Sequence, residues 1–364
     1  MLLLRILFRD AARARGILVL VGAFIALSAL LMAGGAGLIS RLNGALDGLF
    51  AASRVPDLVQ MHTGSIDHDR IRTWAESNPL VEEWQIHEMV TIDGGGLYLG
   101  ANQYSEAESV MDLSVVHQNR SFDFLLDEDN RVARPEPGTI GVPVFFARRD
   151  GMKRGDSVRI TVDEQTWEFT VAMIVRDAQM NPSIVHSKRF LVHPEDYQEL
   201  RSAALDTEYL ISFLLHDYDD LDRFVEEYRA AGLPSVGPTV DRSLLRLLNG
   251  LSEGIVAAVV ILLSAVLMTV ALLCLRFSLL ASIEEDYREI GVMKAIGMPG
   301  ATIRRIYMIK YVVLAGVSVA VGLVLSISLT GVLLRDVVAF MGPPVGERPH
   351  VLLSAAAALA VFVV

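Results

Sequence analysis

The chain has 364 residues, is 52% hydrophobic but only 7% aromatic, and carries a formal net charge of −11. That balance argues against nucleic acid as a partner, because holding a phosphate backbone needs a basic face. Its single cysteine, Cys274, excludes a disulfide framework.

The apolar residues are blocked rather than spread. Residues 1–15, MLLLRILFRDAARAR, set Arg5, Arg9 and Arg13 four apart among leucines and isoleucine. That pattern suits either an amphipathic helix on the cytoplasmic membrane surface or a basic leader that only sets topology. Residues 16–39 then run for 24 positions without a charge. At about 1.5 Å per residue they cross a hydrocarbon core of about 30 Å, and they exceed the apolar part of a secretory signal, so they read as a first span.

Residues 40–243 form a large domain of mixed periodicity, predicting an α+β fold. Helices are expected at Asp67–Ser77 and Asp219–Ala231, the second with acids in its first turn and Gly232 as its stop. Ser157–Val162 and Thr166–Val175 read as two strands joined by a short loop. About 210 residues supply a core without disulfides. Residues 244–254 are leucine-rich and read as a stalk helix continuing the next span outward, or as a helix resting passively on the base of the domain.

Residues 255–275 and 311–334 are the second and third uncharged spans, separated by residues 276–310. Residues 335–350 form an external loop, and 351–364 begin a fourth span that the end of the sequence interrupts. Arg5, Arg9, Arg13 and Arg15 precede the first span. Residues 276–310 carry Arg276, Arg288, Lys294, Arg304, Arg305 and Lys310, whereas residues 335–350 carry only Arg335 and Arg348. The excess of positive charge puts the N-terminus and residues 276–310 in the cytoplasm, with residues 40–243 outside. From Arg41 to Glu253 there are 36 acidic and 20 basic residues, a net of −16, so the acidity belongs to the exterior domain.

Few residues point to chemistry. No G-x-x-x-x-G-K-[ST], H-E-x-x-H or G-x-S-x-G occurs, so no catalytic role is expected and ATP hydrolysis would have to come from another subunit. His62, Asp67, His68 and Asp69 do not fit a common ligand spacing, and no metal site is assigned. Asp127–Asp129 and Asp217–Asp222 lack the pattern of a calcium loop and read as a solvated turn and a helix start. The three spans hold Ser28, Ser264, Thr269, Ser318, Ser326, Ser328 and Thr330 as their main polar side chains but no internal carboxylate, lysine or histidine, which disfavours ion-coupled transport. Small residues at Ala33 and Gly37, and at Gly316 and Ala320, would permit close helix packing.

The segment EEDYREIGVMKAIGMPGATIRRI, from Glu284 to Ile306, stands out between two spans. Ile290, Met293 and Ile296 recur at helical spacing, Glu284 and Arg288 suit an i, i+4 ion pair, and Gly297 then Pro299 supply a stop and a new start. A short helix, a turn and a second helix feeding the third span are predicted. Gly291 in mid-helix costs about 1 kcal/mol relative to alanine and points to a close backbone approach.

The run Arg288–Ile306, REIGVMKAIGMPGATIRRI, resembles the signature of FtsX/MacB-type ABC transporter permeases. The resemblance rests on Arg288, Glu289, Ile290, Gly291, Lys294, Ala295, Ile296 and Gly297, and it implies that these residues form the coupling helix that sits on a partner ATPase. GMKRGDSVRI followed by TWEFTVAMIV, within Gly151–Val175, is similar in short patches to the MacB-type periplasmic core domain. The implied protein is a multi-pass permease of the bacterial inner membrane, a membrane protein with an α-helical transmembrane domain and an α+β domain inserted between spans one and two. Its implied partners are a cytoplasmic ABC ATPase, a second permease copy or paralogue unless the full chain is duplicated, membrane lipid, and a periplasmic adaptor or substrate protein. No cofactor binds directly; ATP and Mg enter through the ATPase. The implied activity is mechanotransmission for export or extraction of a lipid, lipoprotein, peptide or antibiotic. The alternatives are a regulatory permease that moves nothing and signals to a hydrolase or sensor kinase, and an anchored exterior binding or adhesion domain without an ATPase.

Overall fold

The structure is a computed structural model that describes residues 15–100, 104–108, 110–162, 165–182, 184–203 and 206–345. The expected surface helix at the N-terminus, apart from Arg15, and the start of a fourth span at Val351 lie outside the described residues. The elements follow in the order α1 (Arg15–Ser53), β1 (Leu58–Thr63), α2 (His68–Ser77), β2 (Val81–Ile92), β3 (Leu97–Leu99), β4 (Tyr104–Ser105), β5 (Asp112–Val116), β6 (Thr139–Pro143) and α3 (Val144–Arg149). They continue with β7 (Ser157–Val162), β8 (Gln165–Val175), β9 (Ser187–Val192), α4 (Pro194–Ala203), β10 (Thr207–Leu215), α5 (Leu221–Ala230), β11 (Thr239–Asp241), α6 (Arg242–Glu285), α7 (Tyr287–Ala295) and α8 (Gly300–Met341).

Two compact units divide the chain. Among the described residues, 15–44 and 252–335 make one, and those within 45–251 with 336–345 make the other. Three helices, α1, α6 and α8, are long and apolar enough to cross a membrane, and each runs without interruption from one unit into the other. Residues 244–254 lie inside α6, so Asn249, Gly250 and Gly254 do not break it.

In the helical unit, α1 packs against both α6 and α8. Val21, Ile25, Ala29 and Ala271 form its buried centre. The Ser28 hydroxyl donates to the Ser264 carbonyl at 3.0 Å and the Ser264 hydroxyl donates to the Ser28 carbonyl at 2.9 Å. Such reciprocal bonds satisfy two buried hydroxyls where hydrocarbon offers no partner. The closest approach is at Gly322 of α8, where a Cβ would land on the Ala26 carbonyl oxygen and come within 2.9 Å of the Ala29 methyl.

The second unit is built on an eleven-stranded mixed sheet in the order β11-β1-β10-β2-β5-β9-β6-β8-β7-β3-β4. Among the described residues, only the β5–β9 and β6–β8 pairs are parallel. Strand alternation divides the apolar side chains between faces. Leu58, Ile211 and Phe213 pack with Trp74 of α2 and with Phe224 and Tyr228 of α5, while Val90, Leu113, Ile140, Phe146, Phe190 and Tyr197 form a second core with α3 and α4. The alternate residues Val59, Met89, Val116, Leu191 and Leu210 make a third cluster, covered by Leu125, Ala133 and Met180 from two loops.

The expected local elements are present. Asp67 caps α2 by accepting from the Arg70 amide at 3.0 Å, and Gly232, at φ +59, follows α5. The expected strands are β7 and β8, whose connecting residues 163–164 lie outside the described residues. Of the acid clusters, the first is a turn, where Asp127 accepts from the amides of Asp129 and Arg131, and the second is a helix start, where Asp217 accepts from the Asp219 amide and caps a 3-10 turn leading into α5.

Beside the third cluster lies a buried ion-pair network. Arg189, 1% exposed, forks onto both oxygens of Asp177 at 2.6 Å and reaches Asp123 at 3.1 Å, with the two carboxylates 4% and 2% exposed. Asp177 also accepts from the amides of Gln179 and Met180, at 2.9 and 3.1 Å. Burial alone would raise its pKa, but the Arg189 charge and these bonds outweigh burial and the net shift is downward. Burial raises that of Asp123, which takes only one bond from the arginine and lies near the Asp177 charge.

Candidate functional site

The site residues expected between the second and third apolar helices all fall on α7 and its C-terminal turn. α6 ends at Glu285, and Asp286 leaves the helical conformation with φ −90 and ψ 15. The chain re-enters a helix at Tyr287, and the Ile290 amide donates to the Asp286 carbonyl at 3.0 Å. This break separates Glu284 from Arg288, and among the described residues no ion pair joins them. The expected i, i+4 pair therefore fails, because it required one uninterrupted helix.

The C-terminal end is a six-to-one turn. Met298 donates its amide to the Met293 carbonyl at 3.1 Å and Gly297 donates to Lys294 at 3.0 Å, with Gly297 at φ +89. These two bonds satisfy carbonyls that a helix end leaves open, and the left-handed residue between them favours glycine. Pro299 then starts α8, its carbonyl accepting from the amides of Thr302 and Ile303. The short helix is held in place by geometry at both ends.

Its surface is open. No residue of α7 is buried, and Tyr287, Val292 and Ile296 are 76%, 63% and 73% exposed. Ala295 is exposed, and Ile290 and Met293 are half-buried. Arg288, Glu289 and Lys294 are exposed and make no ion pair among the described residues. At Gly291 a Cβ would meet nothing within 4 Å, so no part of the described chain makes the close approach that its position suggests. What remains is a rigidly terminated helix offering three large apolar side chains, unpaired charges of both signs and a bare glycine.

Behind α7, a tie that motif reading missed joins its flanking helices. The Tyr311 hydroxyl of α8 lies 3.1 Å from the Ser278 hydroxyl and 3.3 Å from that of Ser282, both on α6. Tyr311 and Ser278 are buried, and Ile303 is buried nearby in the chain. The only local signal was a tyrosine at the head of an apolar run, which commonly marks a membrane interface instead.

The residues considered for a metal have other partners. His62 accepts from the Val236 amide at 3.0 Å, Asp69 pairs with Arg72 at 2.5 Å, and the His68 ring packs edge-on against Tyr209. Among the described residues no three acidic, histidine or cysteine side chains gather as metal ligands.

Residues 261–364 match the model of the FtsX-like permease C-terminal family, a stretch that takes in most of α6 and all of α7 and α8. The chain is a multi-pass membrane protein. More particularly, residues 261–364 are similar to the C-terminal part of FtsX-like permeases, the family type that Arg288–Ile306 resembles. No curated protein matches the chain. Among solved structures, the periplasmic region of MacB from Actinobacillus actinomycetemcomitans aligns at 7% identity and a TM-score of 0.30, covering 52% of this chain and 91% of that one. A domain of a putative permease protein from Porphyromonas gingivalis aligns at 13% identity and a TM-score of 0.30, covering 50% and 93%.

Proposed function

We propose that this chain is the membrane subunit of an ABC transporter in a bacterial inner membrane. α7 docks on a separate cytoplasmic ATPase, which supplies the ATP and Mg chemistry, and the sheet domain lies outside the cytoplasm. The permease works as a pair, with a second copy, a paralogue or a duplicated half. The observation that carries this reading is α7 itself. Tyr287, Val292 and Ile296 are exposed on a helix fixed at both ends, and its charges have no partner within the described chain. Exposed apolar knobs cost free energy in water and become favourable when a partner covers them. Gly291, with nothing within 4 Å, leaves room for an external backbone to come close.

In this role α7 is a lever. Movement of the ATPase displaces it, and the break at Asp286 and the turn at Gly297 confine that displacement to the ends of α6 and α8, which Tyr311 ties together. The test uses the full chain with its ATPase in nanodiscs. Glu289→Lys, Lys294→Glu and Gly291→Trp are expected to reduce co-purification of the ATPase at least tenfold while leaving the melting of the sheet domain unchanged. Full retention of the ATPase in all three variants would refute docking on α7. Hydrolysis stimulated by a lipid, lipoprotein, peptide or antibiotic supports transport, whereas stimulation only by a protein partner supports the signalling alternative.

A further inference from the structure

The ends of the three long helices that fall in the sheet-domain unit are all held by two loops of that unit, residues 119–131 and 176–181. α1 ends at Ser53, and the carbonyls of Ser53 and Arg54 accept from the amides of Phe124 and Asp123, at 2.8 and 3.0 Å. On α6, Asn249 is buried and donates to the Ala178 carbonyl at 2.7 Å. α8 is held most completely. Its last four carbonyls, those of Val338, Ala339, Phe340 and Met341, each accept from a side chain of the two loops.

Arg176 donates Nη2 to Val338 at 3.1 Å and Nε to Ala339 at 2.9 Å. Asn181 donates to Phe340 and Asn130 donates to Met341 at 3.4 Å. Val338 also accepts from the Gly342 amide at 3.0 Å, the other three carbonyls are ones a helix end leaves without an internal partner, and all four lie at the negative end of its dipole, so a guanidinium is the complementary group. Gly342, at φ +86, turns the chain away directly beyond the cap, and a Cβ there would strike the Asn130 amide.

Arg176 also joins the two loops to each other. Its Nη1 donates to the carbonyls of Asp127 and Glu128 at 3.1 and 2.7 Å and to the Asn130 side chain at 2.8 Å, and its backbone exchanges two hydrogen bonds with Leu126. Arg189 then anchors both loops to strand β9, since Asp123 belongs to one loop and Asp177 to the other.

We propose that these two loops, cross-braced by Arg189, are a clamp that gathers the ends of all three long helices, with Arg176 as the positioning residue that grips α8. α1 and α6 adjoin strands β1 and β11, whereas among the described residues no strand follows α8, so its end depends on side-chain bonds, of which Arg176 supplies two. The clamp makes a displacement of any one helix a displacement of the same ion-paired hub. Its use in transmission rests on the permease reading; its existence does not.

The test is hydrogen exchange of the full chain in nanodiscs without an ATPase, read by mass spectrometry. Arg176→Gln, which loses the charge and most of the donors, is expected to speed exchange in residues 336–345 and 126–131 by about tenfold or more, as the terminal turn opens locally. Strands β2 and β10 are expected to keep their protection. Unchanged exchange at 336–345 would overturn the clamp. Equal acceleration across β2 and β10 would also overturn it, by marking Arg176 as a general support of the fold. Asn249→Ala is the companion variant, expected to loosen residues 176–181 while 336–345 stay protected; if it frees 336–345 equally, Arg176 is not the grip on α8. These outcomes are independent of the α7 variants, so failure of ATPase docking and failure of the clamp are separately visible.

Discussion

Replacing Arg189 with methionine removes the charge at the centre of the buried network while keeping most of the side-chain volume. In the native protein the guanidinium makes three bonds, two to Asp177 and one to Asp123, and all three groups are at most 4% exposed. Without it two carboxylates face each other out of reach of water. Breaking a buried ion pair from one side costs about 3–5 kcal/mol, because the abandoned charge keeps its desolvation penalty. For a domain of this size, about 2–4 °C per kcal/mol gives a fall in Tm of about 6–20 °C. Thermal unfolding of the purified full chain in detergent, followed by near-UV dichroism, measures it.

The pH dependence makes the test sharper. In Arg189→Met the carboxylates gain protons more readily than in the native chain, so part of the lost stability returns when the pH is lowered from 7.5 to 5. The deficit relative to the native protein is therefore expected to shrink with acid. A deficit below about 1 kcal/mol, in the range of exposed pairs, or one equal at both pH values, would refute the view that the network is dry and ion-paired.

Two further predictions concern other parts of the molecule. Gly322→Leu is expected to lower the Tm of the detergent-solubilised chain, since its side chain would enter the Ala26–Leu30 backbone of α1, whereas Gly331→Leu, with nothing within 4 Å, is expected to leave it unchanged; equal effects would refute the tight crossing. His87 is wholly buried, and burial first, then the charges of Arg189 and His117, hold its pKa well below 6.5. The unfolded chain takes up a proton below pH 6.5 that the folded chain refuses, so this stability, present above pH 6.5, falls by about 1.4 kcal/mol per pH unit as the pH drops. His87→Phe is expected to flatten the acid limb of a Tm-versus-pH curve, and an unchanged limb would count against it.

Much of the local structure was legible in the residues. Uncharged runs of 21 to 24 residues mark three long helices because hydrocarbon leaves no other way to satisfy the backbone. Asp67, Gly232, Gly297 and Pro299 mark helix ends because each acts on its immediate neighbours in the chain. β7 and β8 were visible through their β-branched residues. Strands such as β10, in a sheet whose order crosses the chain repeatedly, were not, since their pairing depends on residues more than a hundred positions away.

The sequence by itself determined where the chain is apolar enough to span a membrane, and it isolated Arg288–Gly297 as a helix and turn with no apolar reason to be there. Those are properties of composition and of contacts within a few residues. Tertiary structure alone decided that nothing in the described chain covers Gly291, that Ser28 meets Ser264, and that Arg176 caps α8. Arg176 reads in the sequence as one more charge after a strand. Its role exists only because Val338 and Ala339, 162 and 163 residues further on, bring the carbonyls of a helix end to its guanidinium. A helix dipole and a buried charge recognise each other by position in space, and chain order carries no record of that meeting.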